Sequence, residues 1–262
     1  MTSNLVEPQS EIARFRVLGV PVSVVNMRRA VDVAVAWARE NSPRTIFVRD
    51  VASLMLAVDQ PKFCALHGEA SLVVPDGQPL VWLGKISSHS AIGRVAGADF
   101  VDAVCSATSR TDLTHFFYGG KPGVAEKAAD KLRAKYPGLK IAGTLTPPMR
   151  DIDATTTFDE SQLAELATIR DAHPDFVWIG ISSPKQDYWM MKAAPLIGRG
   201  VFAGVGAAFD FHAGTVKRAP AFMRNSGLEW LHRLLSEPRR LWRRYLLLAP
   251  RFVWLLLRSR NS

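Results

Sequence analysis

Four glycine-bearing segments of this 262-residue chain carry side chains suited to chemistry, and each follows a short apolar run. Pro75-Asp76-Gly77-Gln78-Pro79 sets a carboxylate beside a residue that lets the chain turn sharply. A carboxylate so placed suits a general base; the competing reading is a cap for a helix starting at Pro79. Tyr118-Gly119-Gly120-Lys121-Pro122-Gly123 is the kind of turn that brings backbone N–H groups to a phosphate, with Lys121 adding charge. Its spacing matches neither the dinucleotide nor the P-loop pattern, so an ordinary strand-to-helix turn is the alternative. Gly180-Ile181-Ser182-Ser183-Pro184-Lys185-Gln186-Asp187 offers Ser182, Ser183 and Gln186 as neutral hydrogen-bonding groups and Lys185 as a cation, although Ser-Ser-Pro is also a plain helix start. Gly204-Val205-Gly206-Ala207-Ala208-Phe209-Asp210 combines small residues, which admit a ligand or a neighbouring backbone, with Asp210, an acceptor for a ribose or base. Arg94 is a candidate phosphate partner, and Asp99 reads as a helix cap. No histidine is spaced to serve a serine nucleophile, and neither Cys64 nor Cys105 sits in a metal-binding cluster.

The elements that hold these segments follow from periodicity. Short Val-, Ile-, Leu- and Phe-rich runs at 15–18, 45–48, 72–74, 114–118, 140–144, 176–179 and 201–203 read as strands. Helical patterns lie between them at 27–40, 52–59, 79–84, 98–109, 122–135, 159–172 and 184–196. Such alternation predicts an α/β fold with a largely parallel sheet and helices on both faces. The glycine-bearing segments then fall at the carboxyl ends of strands, where an open sheet binds its ligand. Together they suggest one crevice for a phosphorylated ligand, a phosphosugar or a nucleotide.

Composition is that of a globular protein, 48% hydrophobic and 22% charged. The amino-terminal stretch lacks the basic start and apolar core of a secretory signal, and sparse cysteine fits a reducing cytosol. Net charge is +9, of which the stretch from Ala219 onward carries +7 through nine arginines opposed by Glu229 and Glu237. A nucleic-acid enzyme would more often spread that charge along a groove, so nucleic acid is not an expected partner. Two units are therefore predicted, an α/β core at 1–218 and a basic amphipathic helical appendage at 219–262. Pro238 and Pro250 interrupt the appendage, and its apolar runs fall short of the ~20 residues a spanning helix needs. With Trp242 and Trp254 it reads as a segment that lies on an anionic membrane surface; the alternative is that its apolar face packs on its own core.

Six stretches in order resemble the WecG/TagA/CpsF family, glycosyltransferase family 26. They are VVPDGQPLVW at 73–82, RVAGADF at 94–100, FYGGKPGVAEKAADKL at 117–132, WIGISSPKQDYWM at 178–190, GVGAAFDFHAGTVKRAP at 204–220 and LEWLHRLLSEPRRLWRRYLL at 228–247. The resemblance spans about residues 14 to 250. It implies a GT-E type, Rossmann-like fold and an inverting, metal-independent transferase needing no cofactor. It also implies transfer of a hexosyl or N-acetylhexosaminyl group from a UDP-sugar to a polyprenol-diphosphate-linked sugar acceptor, at the cytoplasmic face of the membrane. Residue by residue, it makes Asp76 the general base, Arg94 a diphosphate or acceptor contact, Gln186 a residue near the donor, and Asp210 a nucleotide contact. Gly119 and Gly120 would lie against the nucleotide, with Lys185 beside it. Arg224, Arg233 and Arg240 of the tail would close over the leaving group. Relatives often carry Thr-x-Asn where this chain has Val48-Arg49-Asp50, so Asp50 lies on the substrate floor in place of an amide and the sugar cannot be copied across. Asp151-Ile152-Asp153 has the spelling of a metal clamp but sits in a polar loop, and is discounted. The rival readings are a soluble nucleotide-sugar-modifying enzyme and a non-catalytic protein bound to the membrane surface.

Overall fold

A computed structural model describes residues 12–220, 222–223, 228–236, 238–242 and 246–259. Six strands form one parallel sheet in the order β4 (Leu72–Pro75), β3 (Pro43–Arg49), β8 (Gly200–Gly204), β7 (Phe176–Gly180), β5 (Thr114–Gly119), β6 (Lys140–Leu145). The sheet is parallel because its strands are apolar on both sides and need cover on both. Alternate residues divide between two cores. Ile46, Val74, Phe117, Trp178 and Ala203 face one layer, while Phe47, Val73, Tyr118, Ile179 and Phe202 face the other.

The first layer is built from α1 (Met27–Trp37), α5 (Gly97–Thr108), α6 (Val124–Lys135) and α9 (Ala208–Ala213). The second holds α2 (Val51–Asp59), α3 (Pro61–Glu69), α4 (Gln78–Ile86), α7 (Glu160–Asp171) and α8 (Lys185–Ile197). The predicted first strand does not join the parallel sheet. It is β1 (Arg14–Val17), paired antiparallel with β2 (Val20–Ser23) across a two-residue turn in which Leu18 and Gly19 both have positive φ. This hairpin packs along the edge strand β4, where the Val73 N–H donates to Ser23 Oγ at 3.0 Å. An edge that would otherwise offer bare backbone is thereby covered. Two further differences are local. Pro122 and Pro184 stand just before α6 and α8 rather than inside them, leaving Gly123 and Pro184 at the N-cap positions.

The tail forms α10 (Glu229–Ser236), α11 (Pro238–Trp242) and α12 (Leu248–Ser259). Pro238 opens α11, and Pro250 lies in the first turn of α12, where its missing N–H costs nothing. On α12, Phe252 is buried in the second core, flanked by partly buried Leu255 and Leu256. Arg251 makes a two-pronged pair with Asp59 at the end of α2, both contacts 2.6 Å. One side of α12 thus packs on its own core, as the alternative reading had it, and the other side, with Trp254 54% exposed, is open.

Candidate active site

The carboxyl ends of β4, β3 and β8 surround a pocket of about 270 Å³, roofed by Trp230 of α10 and Ala249 of α12. Backbone geometry fixes its floor. Arg49 pairs with Pro75 at the top of β3 and β4, and its carbonyl accepts from Asp76 N–H at 2.7 Å and Gly77 N–H at 3.3 Å. The chain that carries Arg94 is stitched alongside, with Val95 N–H donating to Pro75 carbonyl at 2.8 Å. Asp50, one residue past β3, and Asp76, one past β4, are thus held as neighbours on the floor.

Asp76 is not a helix cap. The N-cap of α4 is Gly77, with no side-chain hydrogen bond, and the Asp76 carboxylate turns to Arg94 instead, 3.2 Å from Nη2. Arg94 also donates through Nε to the Asp76 carbonyl at 2.6 Å, and its Nη2 lies 2.6 Å from Glu229 of α10. Asp76 keeps 31% of its side-chain surface open to the pocket, yet its surroundings push its pKa up to about 6. Burial is the largest cause, Asp50 and Glu229 add like-charge repulsion, and Arg94 opposes them. A carboxylate poised near 6 is ionised at neutral pH and still basic enough to take a proton.

Asp50 lines the pocket while capping α2: it accepts from Ser53 N–H at 3.0 Å and Ser53 Oγ at 2.9 Å in a reciprocal capping box. Asp99, expected to cap α5, does not; Ala96 holds that position without a side-chain bond. Asp99 instead grips Arg218 through two contacts of 2.6 and 2.7 Å, and Arg218 lines the pocket beside Phe211. The first residues of α2, α4, α5 and α9 all reach the wall, so the positive ends of several helices converge there. With Arg94 and Arg218 they set positive charge around the Asp76 carboxylate, an arrangement suited to an anionic ligand.

Gln186, Gly119, Gly120, Lys185 and Asp210 lie outside this lining. Gln186 is buried behind the wall, where its Oε1 accepts from Gly206 N–H at 3.1 Å and shapes the loop after β8. Gly119 ends β5 and Gly120 follows it. At Gly119, φ is +119° and an added Cβ would come within 2.8 Å of the Gly180 backbone, so glycine is required for packing between strand ends. Lys185 pairs with Asp151 at 2.6 Å and donates to the Arg150 carbonyl at 2.9 Å. Asp210 sits in α9, rather than in an open strand-end loop, and accepts from Thr215 Oγ1 at 3.1 Å. Arg224 lies outside the described residues; Arg233 and Arg240 are on α10 and α11, with side chains outside the description. Asp153 holds its own turn, accepting from Thr155 and Thr156, and among the described residues no cluster of three metal-binding side chains is found. Arg218, Glu229 and Trp230 were not singled out from sequence, although the 204–220 and 228–247 stretches contain them.

A strand-end crevice with a basic carboxylate, two arginines and converging helix amino ends suits group transfer from an activated phosphate ester. The Glycosyl transferase WecG/TagA/CpsF family matches residues 15–262. The chain belongs to this family. Among curated proteins it is 30% identical over 206 residues to the N-acetylglucosaminyldiphosphoundecaprenol N-acetyl-beta-D-mannosaminyltransferase of Bacillus spizizenii, covering 79% of this chain and 76% of that one. The protein of the same name from Bacillus subtilis is 28% identical with the same coverage. As a member of the family, the chain is a glycosyltransferase with an α/β Rossmann-like fold.

Proposed function

We propose that this glycosyltransferase moves a hexosyl or N-acetylhexosaminyl group from a UDP-sugar to a sugar acceptor linked to polyprenol diphosphate, with inversion at the anomeric carbon. The observation that carries the reading is Asp76: an ionised carboxylate with raised proton affinity, 3.2 Å from Arg94, in a pocket walled by helix amino ends. In the proposed reaction the acceptor hydroxyl oxygen attacks the anomeric carbon from the face opposite the nucleotide. Its proton goes to the Asp76 carboxylate as the new C–O bond forms. The bond from the anomeric carbon to the β-phosphate oxygen breaks, and its electron pair leaves with UDP. Arg94, Arg218 and the helix amino ends stabilise the charge that gathers on the diphosphate. The names of the two Bacillus relatives support a lipid-diphosphate acceptor and an amino-sugar donor. Asp50 on the floor, where relatives often carry an amide, leaves the sugar itself open.

The tail supports a position at an anionic membrane surface. Trp242 and Trp254 are exposed, as are Leu246, Leu247 and Leu257, on the most basic stretch of the chain. Among the described residues, no helix is long and apolar enough to cross a membrane. The test is to incubate the purified protein with a panel of UDP-sugars and a polyprenol-diphosphate-linked sugar, following UDP release and the lipid product. One donor should give both in equal amounts. Absence of product with every donor, together with no stabilisation by UDP in a thermal shift, would overturn the reading.

A further inference from the structure

Among the described contacts of the Arg94 guanidinium are the Asp76 carbonyl and carboxylate and a carboxylate from the tail, that of Glu229. Nε donates to the Asp76 carbonyl at 2.6 Å, fixing the guanidinium in place. Nη2 then lies 3.2 Å from Asp76 Oδ1 and 2.6 Å from Glu229 Oε2, so the tail carboxylate holds the shorter contact on the shared nitrogen. We propose that Glu229 is a positioning residue for the transfer reaction: from the first turn of α10 it shares the Arg94 guanidinium with Asp76, keeps Arg94 from pairing fully with the base, and so joins the tail to the base. This rests on Asp76 being the base.

The charges around Asp76 show what that contact does. Asp50 faces it from the start of α2, Arg94 from the segment before α5, and Glu229 from α10, with the Arg218–Asp99 pair beside Arg94. Without Glu229, Arg94 Nη2 would be released from its shorter contact and could close on Asp76. The carboxylate would then be better paired and less basic, because one like charge is lost and one opposite charge is shared less. A weaker base takes the acceptor proton less well at neutral pH. The neighbouring Trp230 lines the pocket, so the same turn of α10 sets both the electrostatics and the roof.

The experiment compares wild type, E229Q and E229D. The Asp76 carboxyl carbon, assigned with D76N, is titrated by 13C NMR, and kcat and KM are measured against pH. In E229Q the NMR midpoint and the acid limb of kcat/KM should both move down by about half a pH unit or more. Turnover at neutral pH should fall severalfold while KM for the donor stays within about twofold. E229D, which keeps the charge but withdraws it by one methylene, should lie between, and carries the test if E229Q does not fold. An unmoved midpoint, or an E229Q enzyme faster than wild type at neutral pH, would overturn the proposal; the latter would make Glu229 a placeholder for a phosphate oxygen. Should wild type transfer no sugar, the reading of the function fails, and the NMR midpoints still decide whether Glu229 sets the basicity of Asp76.

Discussion

Arg49 and Asp187 form an ion pair in which neither side chain has any exposed surface, directly under the loop that carries Asp76. Nη2 and Oδ1 are 2.9 Å apart, in an ion contact rather than an aligned hydrogen bond. The remaining partners are local: Arg49 Nε donates to His67 Nε2 at 2.7 Å, and Ser183 Oγ donates to Asp187. The guanidinium also lies 4.5 Å from the centre of the Phe47 ring. Because the Arg49 carbonyl holds both Asp76 and Gly77, the pair anchors the base loop from below.

Removing one partner leaves a buried charge without its mate, so D187L is expected to cost about 3–5 kcal/mol. Replacing both, as in R49M/D187L, should cost clearly less than the sum of the two single changes. Urea unfolding of the four proteins measures this. Additive losses would mean that the two side chains do not depend on each other.

Stability should fall as pH drops below about 6.5. Burial, with Arg49 beside it, pushes His67 down to about 3, and burial alone takes His115 to about 3. His67 donates from Nδ1 to the Phe63 carbonyl and accepts at Nε2 from Arg49, so a proton there would have to displace the arginine. The unfolded chain binds protons at both histidines from 6.5 downward and the folded chain does not, so each removes up to about 1.4 kcal/mol per pH unit. Asp76 runs the other way. Its raised pKa lets the folded chain take a proton between about 6 and 3.8, which offsets one of the two. Burial lowers His212 in the same direction as His67 and His115, so the net effect of acidification is a loss of stability, to be read from urea midpoints between pH 7.5 and 4.5. Midpoints that rise on acidification would contradict the burial of neutral histidines.

D76N should fold and bind UDP as wild type does, yet lose transfer by about 10²–10⁴-fold. In wild type, kcat/KM should decline with a single-proton limb near pH 6, because only the ionised carboxylate accepts the proton. A D76N protein with near-normal turnover would remove Asp76 from the chemistry.

How much of this was legible in the sequence depends on how local each feature is. Asp76 and Arg94 could be picked out because strand ends and glycine turns are local patterns, and the pocket brings them together with Asp50. Gln186 could be found for the same reason, but its amide faces Gly206, a contact across two strand-end loops. The antiparallel pairing of β1 was hidden because four apolar-alternating residues look alike in either sheet. Glu229 was counted only as a charge opposing tail arginines; its partner lies 135 residues away, and nothing in its neighbours announces that.

Transfer should persist in EDTA. Among the described residues, the positive charges facing the pocket belong to Arg94 and Arg218 and to helix amino ends, and a chelator removes none of them. Complete loss of activity, restored by manganese or magnesium, would refute this and return attention to Asp151 and Asp153.

Phe252 and Trp254 stand two residues apart on α12 and face opposite surroundings, one buried in the second core and the other 54% exposed under Arg258. The two changes should therefore separate. F252A removes the side chain that docks α12 on α2, with a core-truncation cost of about 3–5 kcal/mol as the upper bound. Hydrogen exchange in α12 should accelerate while the sheet stays protected, since the Arg251–Asp59 pair is exposed and adds only about 0–1 kcal/mol. W254A should leave exchange unchanged, within about 0.5 kcal/mol in stability, and weaken binding to anionic vesicles in a salt-sensitive way. Transfer to a soluble acceptor analogue should then fall in F252A, whose loosened α12 no longer holds Ala249 at the roof, and not in W254A. Equal effects of both changes on vesicle binding would mean that the exposed face of α12 is not what meets the lipid.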